Sequence, residues 1–421
     1  MKRQVEVPTR DGADRPSPRG SYRLMFDPVF GPFFWGKVLS SSGIWIHNIV
    51  AAIVAFELTG SALVVGLVSM VQFAPQLLFA PLSGKMADRG NAALQIVIGR
   101  LLTGLGSAGL AAWIWLAGGL DGLPGVAPVL ASSLVVGIGF VVGGPAMQSI
   151  VPAMIRPGEM AAAMALNSVP MTVARAGGPA LGAVVATQFG PAAAFAIAAT
   201  VNVAYAIIVL ALRLPSGSAH SGDTDFSVRA SFRHLRSDRP LGVLLIGITA
   251  VGFGAEPSVT LSPALAAELG GGTPLVGWLA SSFGIGAGLG FFLFAPLHRR
   301  LHLPSLATTG LLLMGGGLVC ATVGNVPEVA LASFGISGIG MTFALTSITT
   351  QIQNRSPDAL RGRIMALWFI GFLGARPFAA GLDGFLADAV SVDLALLVTA
   401  AMVMTAAYLC RPSRFSGTGS P

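Results

Sequence analysis

Ionisable side chains are scarce in this chain, and a few stand where every neighbour is apolar. Glu256 follows Gly252, Phe253, Gly254 and Ala255 and precedes Pro257. His47 lies beside Trp45 and Asn48 in a second apolar run, and Asp383 lies in a third. Arg100, Arg175 and Arg376 complete the set. A carboxyl in such surroundings takes up and gives off a proton as the surroundings change, so Glu256, His47 and Asp383 are the proton-coupling candidates. A guanidinium there binds an anion, moves protons, or ties together backbone carbonyls and polar groups of neighbouring helices. Each group also has a plainer reading. Glu256 would be satisfied at the outer mouth of a cavity, and His47 by one hydrogen-bonding neighbour. Asp383 would be structural near the outer boundary, and Arg100 would reach back toward the nearer water. Lys37, at the start of its run, reads as an interfacial anchor.

Other chemistries are excluded by what is missing around the residues that suggest them. Gly284, Gly286, Gly288 and Gly290 superficially suit a phosphate loop. They lie in an apolar run with no preceding strand and no Gly-Lys-Ser or Gly-Lys-Thr, and small residues four apart explain them as a helix-packing face. No ATP-binding motif occurs, and no metal cluster or Ser/His/Asp set can be assembled from five histidines. The sequence therefore implies no enzyme, no cofactor and no metal. Cys320 and Cys410 both lie in apolar runs and suggest neither a disulfide nor a ligand pair. A net charge of +7 would fit nucleic acid only if the basic residues formed a stripe, and they do not.

The elements that carry these residues follow from composition. The 421 residues are 53% hydrophobic and 10% charged, too few charges to cover a water-exposed surface. Long apolar runs recur, such as Ile44 to Phe56, Leu101 to Leu120 and Val126 to Met147, and the last two reach the roughly 20 residues a membrane helix needs. Twelve spans are predicted, at 31–57, 62–83, 92–117, 126–150, 162–187, 191–212, 240–264, 274–297, 304–323, 327–350, 364–387 and 392–411. The connections alternate in charge. One face collects 21 of the 25 Lys and Arg residues, while the loops of the other carry only acids such as Asp121, Glu268, Glu328 and Asp393. We call these the basic and acidic faces. Positive charge marks the cytoplasmic side, which places both termini inside. The expected organisation is a cytoplasmic tail at 1–23, a six-helix bundle at 24–212, a linker at 213–239, a second six-helix bundle at 240–412 and a tail at 413–421. Within the linker, Phe226, Phe232 and Leu235 with interspersed arginines read either as an amphipathic helix on the anionic leaflet or as a solvated connection.

The halves repeat one another. Phe79-Ala80-Pro81-Leu82 is matched by Phe294-Ala295-Pro296-Leu297, and Gly137-Ile138-Gly139 by Gly338-Ile339-Gly340. Met164-Ala165-Leu166 is matched by Met365-Ala366-Leu367, in step with Ala174-Arg175 and Ala375-Arg376. The matches keep their order at offsets near 200 residues, as expected of a transporter built from repeats. Arg175 and Arg376 thus occupy equivalent positions, about 16–20 Å into their helices.

The loop Gly84-Lys85-Met86-Ala87-Asp88-Arg89 resembles the Gly-x-Leu-Ala-Asp-Arg signature of the major facilitator superfamily. Together with Gly43-Ile44-Trp45, Glu57 to Ser61, Gly66, Pro75, Pro152 to Glu159, Asn167, Arg175, Gly178-Pro179, Gly182 and Pro357 to Arg363, it is similar to the drug-exporter-like branch called transmembrane secretion effectors. The resemblance implies an all-α fold of twelve helices in two pseudo-symmetric bundles, in a bacterial inner membrane or a plasma membrane. It implies alternating access, with Gly84, Asp88, Arg89, Arg361 and Arg363 as the gating set. It also implies a midplane site, for which Trp45, His47, Asn48, Gln148, Glu256 and Met341 are the cavity candidates. Arg100, Arg175, Arg376, Gly178, Pro179 and Gly182 are the intramembrane structural or functional positions. The expected function is proton-coupled export of small amphipathic compounds of drug or siderophore type by a monomer in the lipid bilayer. Its alternatives are a facilitator or importer of a small metabolite, or a non-transporting membrane protein. The chain departs from the family pattern in three places. Asn91-Ala92-Ala93 replaces further basic residues, 126–150 holds no charge, and His298 to His302 lacks the Asp and Gly of the signature.

Overall fold

With no water to bond a backbone amide, an apolar run in a membrane must close its own hydrogen bonds, which leaves the helix as the element for each span. The computed structural model describes residues 20–89, 91–156, 158–212, 238–324, 326–356 and 360–414, with the side chains of 80–89, 361–363, 366 and 414 outside the description. The spans are Phe30–Thr59, Ala62–Arg89, Ala92–Leu116, Ala127–Ser149, Met160–Phe189 and Pro191–Ala211 in the first half. In the second they begin with Arg239–Ala255 and continue with Gly272–His298, Leu303–Val323, Pro327–Arg355, the pair Arg361–Phe372 and Arg376–Ala389, and Val392–Leu409. Asn91, Asp238 and Ser391 cap three of these helices by accepting the backbone N–H three residues on. Linker residues 213–237, including the amphipathic candidate, lie outside the described residues.

Among the described residues, eleven helices are long and apolar enough to cross a membrane. The twelfth span, number eleven, is broken. Pro377 has no N–H to give the Leu373 carbonyl, which accepts instead from Arg376 N at 3.3 Å, and the helix restarts at Arg376. Span seven breaks by the same chemistry. Pro257 leaves the Phe253 carbonyl to Glu256 N at 3.1 Å, and short helices Pro257–Thr260 and Ser262–Glu268 follow. Discontinuous helices are tolerated at membrane depth where protein surrounds the freed backbone groups.

Helix pairing repeats between the halves. Spans three and four, two and four, three and six, and one with five and six pack together, and so do nine with ten, eight with ten, nine with twelve, and seven with eleven and twelve. The duplicated Gly-Ile-Gly motifs explain part of this. A Cβ on Gly137 would collide with the Gln72 carbonyl of span two, and one on Gly338 with the Phe283 carbonyl of span eight. Gly139 and Gly340 do the same toward Gly99 of span three and Gly310 of span nine, each at 2.5 Å from a carbonyl oxygen. One motif thus sets both contacts of the fourth helix in each half. Between the halves the principal contacts are spans two with eleven and five with eight.

Candidate functional site at the seam between the halves

Both broken spans place a charge immediately before their proline, and the two charges meet. Arg376 Nε donates to Glu256 Oε2 at 2.7 Å, with Glu256 fully buried and Arg376 7% exposed. Thr260 Oγ1, one turn on, donates to Glu256 Oε1 at 3.3 Å. A buried ion pair of this kind adds little net stability over apolar packing, but removing one partner leaves an uncompensated charge at a cost of about 3–5 kcal/mol. The guanidinium of Arg376 also lies 4.3 Å from the ring centre of Phe73 on span two of the other half.

Arg175, its sequence equivalent, is held differently. Its guanidinium lies 4.9 Å from the Trp45 ring and 5.9 Å from that of Phe283 on span eight, and Nη1 donates to Met341 Sδ on span ten at 3.1 Å. The pseudo-symmetry is reciprocal. Each arginine reaches a phenylalanine on the second span of the opposite half, and each reaches the first span of its own half. Where the second half supplies the carboxylate of Glu256, the first supplies the indole of Trp45, whose Nε1 donates to Met171 Sδ at 3.4 Å. The Nε of Arg175 is buried without a hydrogen-bond partner.

Close backbone approach delivers these groups to the seam. A Cβ on Gly284 would collide with the Arg175 carbonyl, freed because Pro179 gives it no N–H, and Ala180 N donates to Ser281 Oγ at 2.8 Å. Gly178 faces Trp45 with room for no more than hydrogen, a Cβ there standing 2.7 Å from Trp45 Cβ, and Gly182 lies against Ile46. Gly178, Pro179 and Gly182 are therefore packing residues that fit span five between spans one and eight.

The structure brings together Trp45, Arg175, Glu256, Met341 and Arg376, and separates several residues grouped with them in the sequence reading. His47 is fully buried between spans one, three and six, with Nδ1 3.1 Å from Ser107 Oγ and its ring against Phe195. It turns away from the seam because Trp45, two residues earlier, takes the seam-facing side of the helix. Gln148 is exposed and accepts from Asn167, which also receives Lys37 Nζ through its backbone carbonyl at 3.1 Å and its side-chain oxygen. Lys37 is thus a buried group in a polar chain, not an interfacial anchor. Arg100 does not reach for water either. It is 2% exposed, with Nη1 on Ser40 Oγ at 3.2 Å. Asn48 accepts from Gln72 on span two at 2.8 Å. Asp383 is fully buried, and Oδ1 accepts from Thr399 of span twelve at 2.6 Å.

Of the gating set, Gly84, Asp88 and Arg89 have helical backbone at the end of span two, and Arg361 and Arg363 open span eleven. Their side chains lie outside the described residues. At the acidic face the halves are latched by a residue the sequence reading did not single out. Asp388 of span eleven accepts from Ala62 N at 2.8 Å, Leu63 N at 3.1 Å and Ser61 Oγ, capping span two from the other half. Thr273 Oγ1 of span eight donates to Glu57 Oε1 of span one at 3.0 Å on the same face. Nearby, burial and then Asp393 raise the Glu268 carboxyl above its ordinary value. The charge-proline pairs Glu256-Pro257 and Arg376-Pro377 carried a readable signal for the central ion pair. Phe73, Phe283 and Asp388 carried none.

The family model described as transmembrane secretion effector matches residues 20–418. Macrolide efflux protein A of Streptococcus pyogenes is 25% identical over 366 residues, covering 84% of this chain and 88% of that protein. Among solved structures, a bacterial homolog of the human lysosomal transporter Spinster, inward-facing and unoccupied, aligns with TM-score 0.70 at 16% identity, over 91% of this chain and 96% of its own. A bacterial homologue of the iron transporter ferroportin, inward-facing, aligns with TM-score 0.69 at 16% identity, over 90% and 97%. The matched family and the twelve-span architecture together assign the chain to the transmembrane secretion effectors, multi-pass membrane transporters of the major facilitator type and not enzymes.

Proposed function

We propose that this transporter exports small amphipathic compounds across a bacterial cell membrane by alternating access, driven by proton antiport. The basic face is cytoplasmic in this reading, which the asymmetry of Lys and Arg supports. Substrate binds at the seam, where aromatic and methionine side chains from both halves offer an adaptable apolar surface beside fixed charges. The efflux relative, similar over most of its length, supports the direction.

The observation that carries the reading is the Glu256–Arg376 ion pair at the breaks of spans seven and eleven. Protonating Glu256 removes the charge that holds Arg376. The two broken helices are then freed of a contact that only the ionised state makes, which is the kind of differential interaction that shifts a two-state equilibrium. Asp388 and Glu57 tie the halves together at the acidic face in the conformation described, contacts that an outward opening has to break.

Everted membrane vesicles test the function. With an inward-acid pH gradient, an amphipathic substrate should accumulate above its external concentration, and an uncoupler should release it. Equilibration without accumulation, indifferent to the uncoupler, would replace the exporter with a facilitator.

A further inference from the structure

The charges at the seam do not balance. Two guanidinium groups, Arg175 and Arg376, stand at the seam with one carboxylate that bonds to Arg376 and not to Arg175: Glu256 commits Oε2 to Arg376 and Oε1 to Thr260. Another buried acid, Asp383 of span eleven, turns to Thr399 on span twelve, and its described hydrogen bond is to neither arginine. Among the described residues Arg175 is held by two π faces and a thioether, and its buried Nε has no hydrogen-bond partner. A desolvated guanidinium is best satisfied by an oxyanion, through charge-assisted and commonly bidentate hydrogen bonds. The pseudo-twofold shows what such a partner would do, because the equivalent arginine already holds one.

Resting on the seam as the substrate site, we infer that the compounds handled there are amphipathic acids whose anionic group docks on Arg175, as Glu256 docks on Arg376. Trp45, Phe283 and Met341 would cover the apolar part. The guanidinium lies within 4.9 Å of one ring centre and 5.9 Å of the other, and its Nη1 gives Met341 Sδ a weak bond that an oxyanion would replace with a charge-assisted one. This assigns Arg175 a specificity role that a purely structural reading of the paired arginines does not give it.

Three probes that share a fluorophore and differ in charge test this: dansylglycine (anionic), dansylamide (neutral) and dansylcadaverine (cationic). Energy transfer from tryptophan to the dansyl group, measured on purified protein, reports binding. The part of the signal lost in Trp45→Phe belongs to the seam. Dansylglycine should bind about tenfold more tightly than dansylamide, with dansylcadaverine weakest. In Arg175→Gln the order should collapse while dansylamide binding persists, and Arg175→Lys should keep part of the preference. If Arg175→Gln does not fold, the lysine variant alone must show a reduced preference. Equal affinities for the three probes, or a preference that survives in both variants, would overturn the inference and leave the seam as an amphipath site. Absence of any Trp45-dependent signal would overturn the seam reading itself and the inference with it.

Discussion

At the scale of single residues, the seam holds an ion pair and a second arginine whose described contacts are two aromatic rings and a methionine sulfur. Glu256→Gln and Arg376→Gln should each lower stability by about 3–5 kcal/mol, and the double variant by much less than their sum, because it leaves no lone charge. Thermal unfolding in detergent reads the cycle, and additive losses would show that the pair is not coupled. The sequence revealed Glu256, Arg175 and Arg376 as costly charges in apolar runs, and the repeat aligned the two arginines. It did not reveal that Arg376 belongs with Glu256, since a contact across 120 residues depends on how two helices break. His47 misled for a related reason. Composition marks a residue as intramembrane, but only packing decides which of several helices it faces, and here Ser107 and Phe195 claim it.

At the scale of elements, glycine and proline do most of the positioning. Pro257 and Pro377 convert two spans into stacked segments and put charges at the junctions, while glycines on spans two, eight and eleven let the halves touch at backbone distance. The glycines of span eight were legible as a helix-packing face, though the break in span eleven was not, because an apolar run reads as continuous whether or not its middle turn is helical. The Asp388 cap of span two is an exposed, charge-assisted contact worth about 1 kcal/mol. Asp388→Ala should therefore leave the fold intact but favour opening at the acidic face. Single cysteines at Ser61 or Leu63 should become more reactive toward an impermeant thiol reagent in that background. Unchanged labelling would mean that Gly66 against Ala380 and Gly384 against Ala62 suffice to hold the face shut.

At the scale of the whole molecule, the fold was the most legible property, because bilayer thickness and the exclusion of unpaired backbone groups leave few options for an apolar chain. The alternating charge of its loops carries a prediction of its own. In a background free of Cys320 and Cys410, cysteines at Asp121, Glu268 or Glu328, all exposed, should react with impermeant reagent in whole cells, and one at Arg300 should not. Reverse labelling would invert the molecule and with it the direction of transport. In the proposed transport cycle proton coupling runs through Glu256, and proteoliposomes with and without a pH gradient test this. The Glu256→Gln protein should retain substrate exchange down a concentration gradient and lose uphill, pH-driven transport. A glutamine variant that pumps against a gradient at the rate of the unmodified protein would contradict the claim.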